Sequence, residues 1–314
     1  MTHARATIAR PAAGPIARLL GAQLAIGAAA IFARYALTGA GPLAVSALRL
    51  GIATLALAFI VRGVRRLPWR RELAFAAAGC ALALHFATWI ASLRYTSVAI
   101  STLLVTTTPL WTELYAIVVE RRLPSRAFAI ALACASAGVA LIVLPGSAPA
   151  PVPGHAVLGA TLALVGSFAI GAYLLVVRDA GRETSTARLG TRQIVVRTYG
   201  WATIVLALAA AFAHEGPPIL SDRMAWGGIL AMALISQLLG HTLLNAALGA
   251  FVPSTVALAT LLEPAIAAVF AALIFREALT PTTIVGGLLV LTSVAVVLVR
   301  TNGAGDIETR DRGT

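Results

Sequence analysis

The chain has 314 residues and no lysine: all 24 of its basic side chains are arginine. Charged residues of both signs amount to 11% of the sequence, and there are two cysteines. Each scarcity excludes something. Without lysine, a phosphate-cradling GxxxxGK[ST] loop cannot be completed, and direct drive by ATP is excluded. Cys80 and Cys134 each lie inside an apolar run, with neither metal-ligand spacing nor a partner histidine nearby. Their expected role is packing, and no metal or other cofactor is expected. With so little charge, a soluble domain of this length could not cover its surface. The sequence is 59% hydrophobic, with a mean hydropathy of +0.90. It is filled with apolar runs of about 20 residues, the length a bilayer core demands.

Ten membrane helices are expected, near 18–37, 42–61, 72–92, 97–119, 125–144, 156–177, 192–213, 225–246, 252–275 and 281–299. The runs lack the alternation of a barrel strand, and in lipid only helices or closed barrels satisfy the backbone. The net charge of +12 sits in the short segments between runs. That is the pattern of orientation signals, not of a nucleic-acid-binding face. One set of segments carries clusters such as Arg65-Arg66, Arg70-Arg71 and Arg121-Arg122; the opposite set carries only Arg34, Arg94, Arg223 and Arg276. The positive-inside rule puts the rich side, and both termini, in the cytoplasm.

One stretch occurs twice. Residues 93–124 and 248–281 are each an apolar run with a proline near the middle, Pro109 or Pro264. Each ends in a short charged turn, Glu120-Arg121-Arg122-Leu123 or Arg276-Glu277-Ala278-Leu279, and a further apolar run opens at Pro124 or Pro281. The uncharged segment 145–154, PGSAPAPVPG, reads as an extracytoplasmic linker. The expected fold is therefore an all-α integral membrane protein made of two inverted five-helix repeats. The first repeat covers 19–144, the linker 145–155 and the second repeat 156–299, with a polar cytoplasmic tail at 300–314. Five is odd, so the second half enters the membrane upside down, with the substrate route between the halves.

These pieces resemble the EamA family of the drug/metabolite transporter superfamily. The resemblance is carried by Ala91-Ser92-Leu93-Arg94-Tyr95-Thr96-Ser97-Val98-Ala99 leading to Pro109, and by Asn245-Ala246-Ala247-Leu248 leading to Leu262-Glu263-Pro264. The closing turns and Arg49 early in the second helix fit as well. The resemblance covers nearly the whole chain and implies transport of small molecules, with amino acids, drugs and other metabolites all within the family's range. Glu113 in the fourth helix departs from the usual pattern.

Ionisable residues inside a membrane are costly and tend to face a cavity or a partner. At about 1.5 Å per residue, Arg49 lies roughly 10 Å and Glu263 roughly 15 Å below the outer face. By the same measure Arg197 lies roughly 8 Å and Glu113 roughly 9 Å from the inner face. Depth matching therefore expects two ion pairs, Arg49–Glu263 and Arg197–Glu113, acting as gates or shaping the cavity. The alternative is snorkelling arginines and neutral, packed glutamates. His85 with Trp89, and His241 with Asn245, share helix faces at a spacing of four. Thr88 lies beside the first pair. These are expected to line a substrate route, with a proton on histidine as one option, or else to tie helices together by hydrogen bonds. Pro109 and Pro264 are expected to kink their helices, with Thr106, Thr107 and Thr108 recapturing the freed carbonyls. Trp111 and Tyr115 either stack on a planar substrate or pack plainly. The small residues of the fifth and tenth helices, Ala133 to Gly138 and Gly286-Gly287, permit close contact, as scaffold or in a dimer.

The expected function is secondary transport, as an exporter of amino acids or drug-like compounds working by alternating access in a bacterial inner membrane. Its partners would be a small-molecule substrate, the lipid bilayer and optionally a proton, with no nucleic acid, in a monomer or homodimer. The ionisable groups are scattered singly over many helices, which disfavours an embedded enzyme. A non-transporting sensor or accessory subunit is the remaining alternative.

Overall fold

The computed structural model describes residues 13–61, 63–96, 98–143, 155–182, 189–275 and 281–308, and every regular element among them is helical. In chain order these are α1 (Ala13–Gly27), α2 (Ala29–Ala36), α3 (Pro42–Ile60), α4 (Trp69–Tyr95), α5 (Val98–Val105), α6 (Thr108–Val118), α7 (Arg126–Val143), α8 (Ala156–Arg182), α9 (Thr191–Phe212) and α10 (Arg223–Ala231). A π-helical stretch, Met232–His241, carries α10 into α11 (Thr242–Ala247). Then come α12 (Pro253–Ala259), a 3-10 turn at Thr260–Leu262, α13 (Glu263–Phe275) and α14 (Pro281–Glu308).

Six helices among the described residues are long and apolar enough to cross a membrane: Gly14–Ala36, Pro42–Ile60, Trp69–Tyr95, Val157–Ala180, Thr191–Phe212 and Arg223–Ala247. Shorter apolar helices run at Arg126–Leu141, Pro253–Ala267 and Ile284–Leu298. The linker at 145–154 and the turn at 276–280 lie outside the described residues. Helix α14 runs on to Glu308, through residues expected to leave the bundle as a tail. Once a helix is formed, each further residue adds a hydrogen bond, and polar composition alone does not end it.

Proline sets several of the starts. Pro42 and Pro253 occupy the first turns of α3 and α12, after the extended residues Gly41 and Val252. There the missing N–H costs nothing. The packing inverts the pattern of a soluble helix. Buried positions are rich in alanine, among them Ala22, Ala33, Ala53, Ala78 and Ala202, while Phe59 and Phe212 stand 87% and 84% exposed on the outside. Lipid supplies no hydrophobic drive between helices, so small side chains that let backbones approach decide which faces meet.

The helices pair in a reciprocal way. Helix α4 lies along α8, and α1 with α2 lies along α10, the π stretch and α11; α3 packs on α9, and α7 on α14. Helices α3 and α9 run antiparallel, and hydrogen bonds mark both ends. Beyond the end of α9, Glu215 Oε2 accepts from the Leu43 and Ala44 amides at 2.7 and 3.0 Å, satisfying the open N-terminus of α3. Beyond the end of α3, the carbonyl of Gly63 accepts from Gln193 Nε2 at 2.9 Å near the start of α9. Helices α7 and α14 are antiparallel too: a Cβ added at Gly138, late in α7, would lie 2.6 Å from the carbonyl of Gly286, early in α14. The small residues of these helices thus serve a contact inside the chain. Gly138→Leu is expected to destabilise the protein by about 1–3 kcal/mol through overpacking, read as a lowered unfolding temperature in detergent.

Candidate functional site

Both proline-bearing helices change course near their prolines, the first at a two-residue turn and the second at a 3-10 turn. Helix α5 stops at Val105, and α6 starts at Thr108 with Pro109 in its first turn. In the second half, α12 passes through the 3-10 turn before α13, and Pro264 is the second residue of α13. A proline lacks an N–H and crowds the carbonyl four residues earlier, so in each case it serves better as the start of a new helix than as the middle of an old one. The Thr106-Thr107-Thr108 run takes up the exposed carbonyls. The Thr107 hydroxyl donates to Leu104 O at 2.7 Å, and the Thr108 hydroxyl donates to Val105 O, the group Pro109 leaves free, at 2.9 Å. Ser167 of α8 anchors the break, within 2.9 Å of the Thr107 hydroxyl and accepting from Trp111 Nε1 at 3.2 Å.

The two breaks meet at one cavity of about 50 Å³. Thr102, Thr106 and Thr108 border it from the first break, and Thr260 and Glu263 from the second. Helix α4 contributes His85, Phe86 and Trp89; His241, at the end of the π stretch, closes another side, and Gly27, Ala29 and Ala30 come from the α1–α2 turn. Space of this size admits a few waters. A metabolite needs a pocket of about 300 Å³ or more, so the cavity is too small to hold one as it stands.

His85 Nδ1 lies 2.9 Å from Gly166 O, and because a carbonyl only accepts, Nδ1 carries the proton. Its ring stacks on Trp89, at 6.2 Å between centroids and an interplanar angle of 5°. His241 meets the ring of Phe86 edge-on at 5.2 Å. The Nδ1 of His241 and the Nε1 of Trp89 are both buried without a hydrogen-bond partner.

Arg49 is completely buried one side chain behind this wall. Its Cζ stands 4.1 Å over the ring of Phe86, and its Nη2 donates to Gln237 Oε1 at 2.9 Å. Nε and Nη1 have no partner, and neither has Gln237 Nε2. Among the described residues no ion pair joins Arg49 to Glu263, which corrects the expected pairing. Depth fixes only one coordinate, and Arg49 faces α4 and the π stretch while Glu263 borders the cavity.

The second expected pair is corrected as well. Arg197 binds Glu72 at 3.2 Å, not Glu113. Its Nη1 donates to the Gln193 carbonyl at 2.9 Å and to Gln193 Oε1 at 2.8 Å, and its Nη2 donates to the carbonyl of Arg65. Trp201 Nε1 donates to the other oxygen of Glu72 at 3.0 Å. Glu72 opens α4 and escapes a search confined to the middles of apolar runs. Glu113 instead borders a separate cavity of about 140 Å³, with Arg122, Ser254 and Thr255, and its Oε1 is buried without a partner.

The remaining expected lining residues lie elsewhere. The Thr88 hydroxyl folds back onto the Leu84 carbonyl of its own helix at 2.8 Å. Asn245 accepts from the Tyr173 hydroxyl and donates to the His241 carbonyl, both at 2.7 Å, which makes it a helix tie. Trp111 meets Phe168 edge-on at 5.6 Å and borders, with Tyr115, a groove between α6 and α8 apart from the main cavity. Phe86, Gln237 and Thr260 were not singled out from the sequence. Their only signal there is the spacing of Phe86 beside His85 and of Gln237 four residues before His241. No group of three or more histidine, cysteine or acidic residues that could hold a metal occurs among the described residues.

The model of the EamA-like transporter family matches this chain twice, over residues 15–144 and 157–299. No curated protein matches it in sequence. A solved structure, described only as "Crystal structure of protein", has the same fold, with a TM-score of 0.73, 16% identity, and coverage of 92% of this chain and 98% of that one. At such identity the likeness carries the fold alone.

Proposed function

Because the chain belongs to the EamA-like transporter family, we propose that it is a secondary transporter that exports small metabolites, amino acids or drug-like compounds, across a bacterial inner membrane. In this reading ten spans form two five-helix halves of opposite insertion, both termini are cytoplasmic, and the halves rock about the cavity to give alternating access. The observation that carries it is the meeting of two proline-interrupted helices, one from each family-matched repeat, at one mainly apolar cavity that holds a few polar side chains. Broken helices in corresponding positions of two halves are where such folds bind their cargo. The antiparallel course of α3 and α9, corresponding helices of the two halves, supports opposite insertion.

The small cavity volume fits an occluded form that must open to load. Lining residues His85, His241 and Glu263 are the groups we assign to the route, with Glu263 or a histidine available to a coupled proton. Trp89, stacked on His85, forms part of the same wall. The test is competitive uptake in proteoliposomes, with and without a pH gradient, using a panel of amino acids and drug-like compounds. Saturable flux of at least one compound is the expected result. Absence of flux for the whole panel, from protein that unfolds cooperatively, would favour a sensor or accessory subunit.

A further inference from the structure

Arg49 and Arg197 occupy comparable places in the two repeats, yet among the described residues only Arg197 has its charge answered by a carboxylate. Arg197 has a carboxylate and three further oxygens around its guanidinium. Arg49 is more deeply buried and has one amide oxygen and the face of a phenyl ring. A buried cation without a counter-charge is among the costliest arrangements a protein can hold, and cost of that kind clusters where a ligand completes the set. The unanswered atoms nearby are mostly donors: Nε and Nη1 of Arg49 and Nε2 of Gln237, with Nε1 of Trp89 on the cavity wall. Such a donor excess fits an anion. Phe86 stands between Arg49 and the cavity: it touches the guanidinium and also lines the cavity.

We propose that Arg49 is the recognition point for a carboxylate group on the transported molecule, reached from the cavity when the Phe86 side chain turns aside. The planar guanidinium fork takes both oxygens of a carboxylate, and Gln237 Nε2 supplies a further donor. Calling the ligand a substrate rests on the transporter reading above; the site itself does not. Glu263 borders the same cavity, and an ionised Glu263 and a bound carboxylate disfavour each other as like charges in a confined space.

The test uses the full-length protein in detergent and matched probes that differ only in their head group: benzoate, benzamide and benzylamine, then hexanoate, hexanamide and hexylamine. The readout is the concentration at which each probe raises the unfolding temperature. A carboxylate is expected to act at a concentration at least about tenfold below that of its amide, the scale of a lost buried charge contact. Arg49→Gln is expected to erase that preference. Because Arg49→Gln by itself could perturb folding, Gln237→Glu provides a second arm. It supplies an internal counter-charge, so the unligated protein should melt higher and the carboxylate preference should vanish. Glu263→Gln is expected to strengthen carboxylate binding.

Equal action of amide and carboxylate, no action by either carboxylate, or an undiminished preference in Gln237→Glu overturns the proposal. Flux of the same probes in proteoliposomes separates the two readings. Carboxylate binding without flux of any compound keeps the anion site and removes the transporter. Flux of amides and amines as good as that of carboxylates keeps the transporter and removes Arg49 as the recognition point for its cargo.

Discussion

Arg197→Met is expected to cost about 3 kcal/mol of stability, near the lower end for breaking a buried ion pair, while Arg49→Met should leave stability within about 1 kcal/mol of the wild type. Both residues are arginines within membrane-spanning helices, and both lose a similar volume of side chain. The difference lies in what each leaves behind. Removing the Arg197 guanidinium leaves the Glu72 carboxylate with Trp201 Nε1 as its remaining partner, strips one donor from Gln193 Oε1 and takes the donor from the carbonyl of Arg65. Glu72 is 36% exposed, and solvent recovers part of that loss. Removing the Arg49 guanidinium takes its hydrogen bond from Gln237 and relieves the molecule of a charge that no carboxylate among the described residues neutralises. Exchange of a buried charge for an apolar side chain of similar volume is often neutral or stabilising. Unfolding temperatures of the two variants in one detergent decide the matter. Equal losses would mean that Arg49 has a structural partner of its own.

Flux is expected to fall at least about tenfold in Ala30→Phe, which fills a cavity with room for only a few waters, and to change less than about twofold in Trp111→Phe. Ala30 is 6% exposed and borders the central cavity, whereas Trp111 borders the groove on the far side of α6. A phenyl group on the α1–α2 wall occupies the space in which the two helix breaks meet. The cost in stability is about 1–3 kcal/mol, as for other overpacked cores, so the purified variant should still fold. Trp111→Phe keeps the edge contact with Phe168 and gives up one hydrogen bond, to Ser167. A large loss of flux in Trp111→Phe with none in Ala30→Phe would move the route to the α6–α8 groove.

The helical class was legible in the apolar runs, although among the described residues six helices, not ten, are long and apolar enough to cross a membrane. Pro42, Pro253 and Pro281 begin α3, α12 and α14 where a proline belongs. His85, His241 and Glu263 were legible as polar groups in apolar surroundings, and all three border one cavity. The partners of the arginines were not legible. Depth along the membrane normal says nothing about which way a side chain faces round its helix, so it points to Glu113 as the partner of Arg197 and passes over Glu72. The π stretch at Met232–His241 left no mark either. Its residues have ordinary helical composition, and the extra residue per turn is set by the neighbours it packs against. Thr88 and Asn245 share a face with the histidines yet spend their hydrogen bonds on neighbouring helical groups.

Glu215 has a bearing on how the chain is made. The amides of Leu43 and Ala44 obtain their acceptor only from a residue 172 and 171 positions later. When the ribosome has delivered α3 to the bilayer, the carboxylate that completes it has not been synthesised. The early helices must therefore wait, inserted but unfinished, until α9 and the segment after it emerge. Assembly of the first half is thus tied to translation of the second.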